Sequence, residues 1–297
     1  MALGIEGVRV GCWTDPSGST GTTVVLPPSG TLGAAAVRGG APGTREIAAL
    51  SSTGSVTECH GIVLSGGSAF GLAAGDGAVA WCEAAGIGYD KGVARVPIIG
   101  AAIVFDLRDP AVPRPGREQG WAACEAATDG DPPQGLVGVG AGCTVGKIGG
   151  LEYGVPGGQG WAVCREGGVR VGALVGVNAL GDVIGEDGQP LAASRAPAEA
   201  PRYPAAMPIG AGGPSEHTVI GCVVTDAALD KPAAARAADL SHSGVARAVT
   251  PAHTDFDGDA MFLLATGQVP ASTDLVAHLA ATAVARAIRS AVRAASA

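Results

Sequence analysis

The chain has 297 residues and a formal net charge of −8 at neutral pH, a balance that argues against nucleic acid or an anionic membrane as its main partner. Charged residues make up 15% of it, well below the usual proportion of about a quarter. That excludes a disordered chain and implies that partner subunits cover part of the surface. Aromatic residues are only 4%, so a core has to be packed from Ala, Val, Leu and Ile.

Residues 5–40 read as short strands, with "VRVGCW" and "TTVVLP" separated by the turn chemistry of "TDPSGSTG". An apolar strand, Gly61–Leu64, then runs through a Gly-Gly-Ser turn into an Ala-rich helix that ends near Gly86. "ARVPIIGAAIVFDL" (94–107) is apolar but interrupted by Pro97 and Gly100, and "EQGWAACEAATDG" predicts a helix. "GLVGVGAGCTVGKIGG" and "VRVGALVGVNALGDVIGEDG" read as Gly/Val strands without strict alternation, the pattern of strands buried on both faces. Residues 189–216 hold six prolines and no period, and predict a flexible segment. "TVIGCVVTDA" is a strand, and "DKPAAARAADLSHSGVARAV" a helix with Pro232 in its first turn. "TDFDGDAMFLLATG" is a turn leading into a strand, and the C-terminal run from Ser272 or Thr273 is a helix. Strands early, in the middle and late, with helices between and after them, predict a layered α/β protein.

Seven scattered cysteines without a CxxC pair read as reduced thiols, and with no basic, apolar leader they point to the cytoplasm. No apolar run is long enough to predict a membrane span. Several motifs fail on inspection. A phosphate loop through Gly146 and Lys147 would need glycine at Ala141 and a hydroxyl at Ile148. A nucleophile elbow at Ser68 would need glycine at Phe70. Asp255, Asp257 and Asp259 alternate like a calcium loop, but the glycine and glutamate positions hold Ala260 and Thr266. No histidine pair has metal-ligand spacing, so neither metal nor cofactor is implied.

The stretch "GGPSEHTVIGCVVTDA" (212–227) puts a hydroxyl, Thr218, at the seam between a dispensable linker and a buried strand. Asp257 and Asp259 stand where a turn enters an apolar strand, and Lys147 and Asn178 are lone polar residues near the ends of Gly/Val strands. Buried polar groups of this kind need partners. A threonine hydroxyl is a weak nucleophile until a base takes its proton. Cleavage between His217 and Thr218 would free an α-amine with a pKa of about 8, able to act as that base. Lys147 would lower it further by charge repulsion. Asn178 would donate to the oxyanion, and the two aspartates would orient the ammonium and a cationic substrate end.

Three blocks, "GIVLSGGSAFGLAAGDG", "VPIIGAAIVFDL" and "TVIGCVVTDA…GVARAVTPAHTDFDGDAMFLLATG", resemble the L-aminopeptidase/D-esterase family. That family also holds the β-aminopeptidases and the nylon-oligomer (6-aminohexanoate-oligomer) hydrolases. The likeness spans nearly the whole chain. It implies a single domain, 1–297, with a four-layer αββα sandwich similar to N-terminal-nucleophile hydrolases but connected differently. It also implies one self-cleavage into chains 1–217 and 218–297 that stay together, in a homotetramer. By the same resemblance Thr218 is the nucleophile, assisted by Lys147 and Asn178, and Asp257 and Asp259 match the acidic pair of the nylon-oligomer branch. His217 replaces the asparagine that many relatives carry, and Phe105 lies where some place a tyrosine, implying a more apolar substrate pocket. The expected substrate is a small amide, peptide or 6-aminohexanoate oligomer. The alternatives are a strict aminopeptidase/D-esterase or β-aminopeptidase, and an uncleaved relative that only binds metabolites.

Overall fold

A computed structural model describes residues 1–199 and 217–297. Ten strands build two five-stranded sheets: β1 (Arg9–Thr14), β2 (Gly21–Leu26), β3 (Leu32–Val37), β4 (Thr44–Arg45), β5 (Gly61–Ser65), β6 (Ile99–Ile103), β7 (Gly158–Glu166), β8 (Val169–Asn178), β9 (Thr218–Ala228) and β10 (Ala260–Pro270). The first sheet has the order β1-β2-β5-β6-β4 and the second β7-β8-β9-β10-β3. Four long helices accompany them: α1 (Ala74–Ala84), α2 (Arg117–Glu125), α3 (Lys231–Ala248) and α4 (Thr273–Ala295).

The layering follows from the two-residue period of the strands. In β9, Val219 and Val223 join the apolar layer beneath α3 and α4, whereas Ile220, Cys222 and Val224 join the layer between the sheets. β10 divides in the same way: Met261 and Leu263 go outward, and Phe262 and Leu264 inward. On the other sheet Val24, Val63 and Ala101 pack under α1 and α2, while Val25, Ile62 and Ala102 face the second sheet. Both faces of each central strand are therefore buried, which is why these segments lack polar alternation. The result is the αββα sandwich expected from the resemblance.

Helix ends obey local chemistry. Asp230 caps α3 by accepting from Ala233 N at 2.8 Å, with Pro232 in the first turn. Ser272, rather than Thr273, caps α4 by accepting from Leu275 N. α4 is the one helix among the described residues long and apolar enough to cross a membrane, but 72% of that window is buried, against α3, β7 and β8.

Two expectations are corrected, and one strand had not been read from the sequence. "GLVGVGAGCTVGKIGG" is mostly turn: it contains a 3-10 turn at Gly138–Gly140 and a two-residue strand at Thr144–Val145. Gly138 and Gly146 adopt positive φ there, which breaks a strand. The sheet edge comes instead from β7, whose "GQGWAVCRE" mixes glycine and charge and carries little strand signal. Within the segment expected to be flexible, Pro190–Ala192 pairs with Asp182–Ile184; its residues 200–216 lie outside the described residues.

Candidate active site

Strand register gathers the predicted residues. Thr218 opens β9 directly opposite Asn178, the last residue of β8. On the other side His217 forms a parallel bridge with Asp257, just before β10 begins. All five residues sit at one end of the second sheet, and Lys147, Asn178, Thr218, Asp257 and Asp259 are all buried.

Around Thr218 the backbone is tightly held. Its hydroxyl lies against the carbonyl oxygen of His217. That same oxygen accepts from Gly258 N at 2.9 Å. A β-carbon on Gly258 would sit 2.9 Å from Thr218 Oγ1 and 3.0 Å from the Ala41 carbonyl oxygen, so only glycine leaves room there.

Lys147 Nζ donates to the Asn178 carbonyl at 2.9 Å and to Asn178 Oδ1 at 3.1 Å. The same Oδ1 accepts from Thr144 N at 3.0 Å, and Asn178 Nδ2 donates to the Phe105 carbonyl at 2.8 Å. The asparagine thus holds the lysine and ties two segments, one through Thr144 and Lys147 and one through Phe105, to the strand end. Phe105 contributes its carbonyl to this network. Its residue also lines a cavity of about 480 Å³ with Leu107, Arg108, Lys147 and Glu152.

Asp257 and Asp259 have different partners. Asp257 Oδ2 accepts from Thr254 N at 2.8 Å and Thr254 Oγ1 at 2.6 Å. Asp259 Oδ1 accepts from Val219 N at 2.6 Å, the amide that follows Thr218. Its Oδ2 accepts from His253 N at 3.2 Å and meets His253 Nδ1 at 2.6 Å. Burial, and then the neighbouring Asp259 charge, push Asp257 up to about 6. Burial and the charge of Lys147 push His217 down to about 3, so its ring is neutral. Among the described residues no group of three or more His, Cys, Asp or Glu side chains could hold a metal ion.

The sequence profile of peptidase family S58 matches residues 3–297. The chain belongs to that family. An uncharacterized aminopeptidase of Mycobacterium tuberculosis is 41% identical over 288 residues, covering 89% of this chain and 81% of that protein. A 6-aminohexanoate-oligomer endohydrolase of Agromyces sp. is 31% identical over 286 residues, covering 92% and 77%. Two solved structures share the fold at lower identity. A Burkholderia sp. β-aminopeptidase superposes with a TM-score of 0.73 at 22% identity, covering 98% of this chain and 86% of that one. The L-aminopeptidase D-Ala-esterase/amidase of Ochrobactrum anthropi, described as a variant of the Ntn-hydrolase fold, gives 0.70 at 21% identity, covering 99% and 85%. This S58 chain is accordingly an amide or peptide hydrolase, as the resemblance implied, with a fold shared with those two structures.

Sequence reading missed Gly258, Thr144, Thr254 and His253. Gly258 lies between the two predicted aspartates, and a glycine held between two buried carboxylates was the available signal. Thr144 acts through its backbone N–H, which leaves no mark in a sequence.

Proposed function

We propose that this S58 hydrolase cuts itself between His217 and Thr218, and that the freed Thr218 is the nucleophile for amide hydrolysis. The observation that carries this reading is the Thr218 hydroxyl lying against the carbonyl of its own preceding peptide bond, whose oxygen already accepts from Gly258 N. In the uncut chain Oγ1 attacks the His217 carbonyl carbon and its proton passes to the departing Thr218 nitrogen. The C–N bond breaks and an ester forms, which water hydrolyses. The Gly258 N–H donates to the oxygen where negative charge develops. In the cut enzyme the α-amine takes the hydroxyl proton, with the Lys147 ammonium nearby favouring its neutral form. Asn178 holds Lys147 in place, and the carboxylates of Asp257 and Asp259 orient the Thr218 end of the strand.

The substrate class we favour is 6-aminohexanoate oligomers and related small ω-amino-acid amides. The buried acidic pair at the site and the similarity to an oligomer endohydrolase support it. A second reading, a peptide-trimming aminopeptidase, is favoured by the higher identity to the mycobacterial protein. Rates on para-nitroanilides, β-peptides and nylon oligomers separate the two. We also propose a cytoplasmic homotetramer. Seven unpaired cysteines suit a reducing compartment, and light scattering measures the assembly.

Purified protein on a denaturing gel tests the nucleophile. We expect fragments 1–217 and 218–297, the second starting Thr-Val-Ile-Gly, and a single inactive band for Thr218→Ala. A wild type that hydrolyses amides while remaining one uncut chain overturns the proposal.

A further inference from the structure

His253 has no role in the chemistry above, yet its geometry is unusually constrained. Its backbone is left-handed, with φ of 58°, and this kink turns both its N–H and its ring back onto Asp259. Nδ1 lies 2.6 Å from Asp259 Oδ2, and Nε2 lies 3.3 Å from the carbonyl oxygen of His242. Both partners are acceptors. A neutral imidazole has one N–H only, so a ring with an acceptor at each nitrogen carries two protons, provided Asp259 is ionised. Asp259 also accepts two backbone N–H bonds, from Val219 and His253.

The other charged and titratable groups nearby fit this assignment. Asp257, which shares the loop, adds a second negative charge toward the ring. The His242 ring stands edge-on at 5.0 Å between centroids. It donates from Nε2 to the Ala36 carbonyl, and burial first of all keeps it neutral, at about 4. Arg38, the remaining cation, is committed to Asp239 through two hydrogen bonds. Burial works against a charged His253, but the hydrogen bond and charge of Asp259 outweigh it, and its pKa is raised.

We propose that His253 is held as an imidazolium and is the hydrogen-bonded counter-ion of Asp259, fixing through it the amide of Val219 and leaving Asp257 as the carboxylate of the pair with no hydrogen-bonded cation. His253 is thus a positioning residue. Its catalytic consequence rests on the reading that Thr218 is the nucleophile; its charge state does not.

His253→Asn is the informative variant. Asparagine enters the left-handed region readily, and its Nδ2–H can replace the Nδ1 hydrogen bond without the charge. Two buried carboxylates then share the site with no cation, so a proton stays bound to higher pH. The acid limb of kcat/KM is expected to move up by about one pH unit or more. A limb unmoved from wild type reduces His253 to a packing role and overturns the proposal. Independently, nitrogen NMR of the imidazoles in the Thr218→Ala protein should find both His253 nitrogens protonated above the ordinary pKa of about 6.5. Loss of the proton at or below that pH overturns the proposal even if Thr218 is the nucleophile. Retained hydrolysis by Thr218→Ala sinks the nucleophile reading and leaves the imidazole measurement standing.

Discussion

Gly258→Ala places one methyl group at the most crowded point of the site. The added carbon would be 2.9 Å from Thr218 Oγ1, 3.0 Å from the Ala41 carbonyl oxygen and 3.5 Å from Pro42 Cα. Ordinary contact begins near 3.5 Å, so the hydroxyl or the loop at Ala41 has to give by roughly half an ångström. Overpacking of this kind costs about 1–3 kcal/mol. The loss of unfolded-state freedom on replacing glycine returns about 0.4–1 kcal/mol, because Gly258 is not among the positive-φ glycines. The net change is about 1–2 kcal/mol, too little to unfold a domain with typical stability. Chemistry is less forgiving: a displacement near 1 Å can cost about 100-fold in rate. We expect Gly258→Ala to fold, with Tm lowered by a few degrees, and to self-process at least tenfold more slowly in a denaturing-gel time course. Processing at the wild-type rate with unchanged Tm would refute the idea that Gly258 sets the position of the Thr218 hydroxyl.

Hydrolysis should decline as pH falls through about 6, where Asp257 takes up its proton, and the pH profile of kcat/KM should lose that limb in Asp257→Asn. The stability effect has the opposite sense. Asp257 binds its proton more tightly folded than unfolded, so its ionisation opposes folding increasingly as pH rises from about 4 to about 6. Asp257→Asn should therefore match or exceed wild-type Tm at pH 7 while losing activity, and a large Tm drop at that pH contradicts this. Asn178→Ala removes a partner from Thr144 N, Lys147 Nζ and the Phe105 carbonyl; we expect at least about 2 kcal/mol of destabilisation by urea titration, together with loss of processing. Gly120→Ala drives a methyl to within 1.9 Å of the Ala74 carbonyl where α2 crosses α1. Thermal melts should fall by several degrees, and the surviving folded protein should still be cut before Thr218.

Much of the fold was legible because its signals are local. The Gly-Gly-Ser turn into α1, Pro232 in the first turn of α3, and the apolar runs of β5, β9 and β10 each follow from residues adjacent in sequence. β7 was not, because its burial depends on α4 packing over glycines that are unremarkable by themselves. A β-carbon on Gly160 would be 2.1 Å from the Ala287 carbonyl, a contact between segments far apart in the chain. Thr218, Lys147, Asn178, Asp257 and Asp259 stood out as polar residues at the ends of apolar segments. Their juxtaposition did not, since it arises from the pairing of Asn178 with Thr218 and the bridge from His217 to Asp257.

From sequence alone came the composition of the core, the start of α4 at Ser272 or Thr273 and the seam at Thr218, because capping, turn formation and apolar periodicity act within a few residues. Tertiary structure alone decided that Asp259 clamps the Val219 amide while Asp257 is held by Thr254, and that His253 faces two acceptors. Those assignments depend on sheet register and on one left-handed residue. Each sets distances of about 3 Å between groups whose charge depends on their surroundings, and no local pattern encodes that.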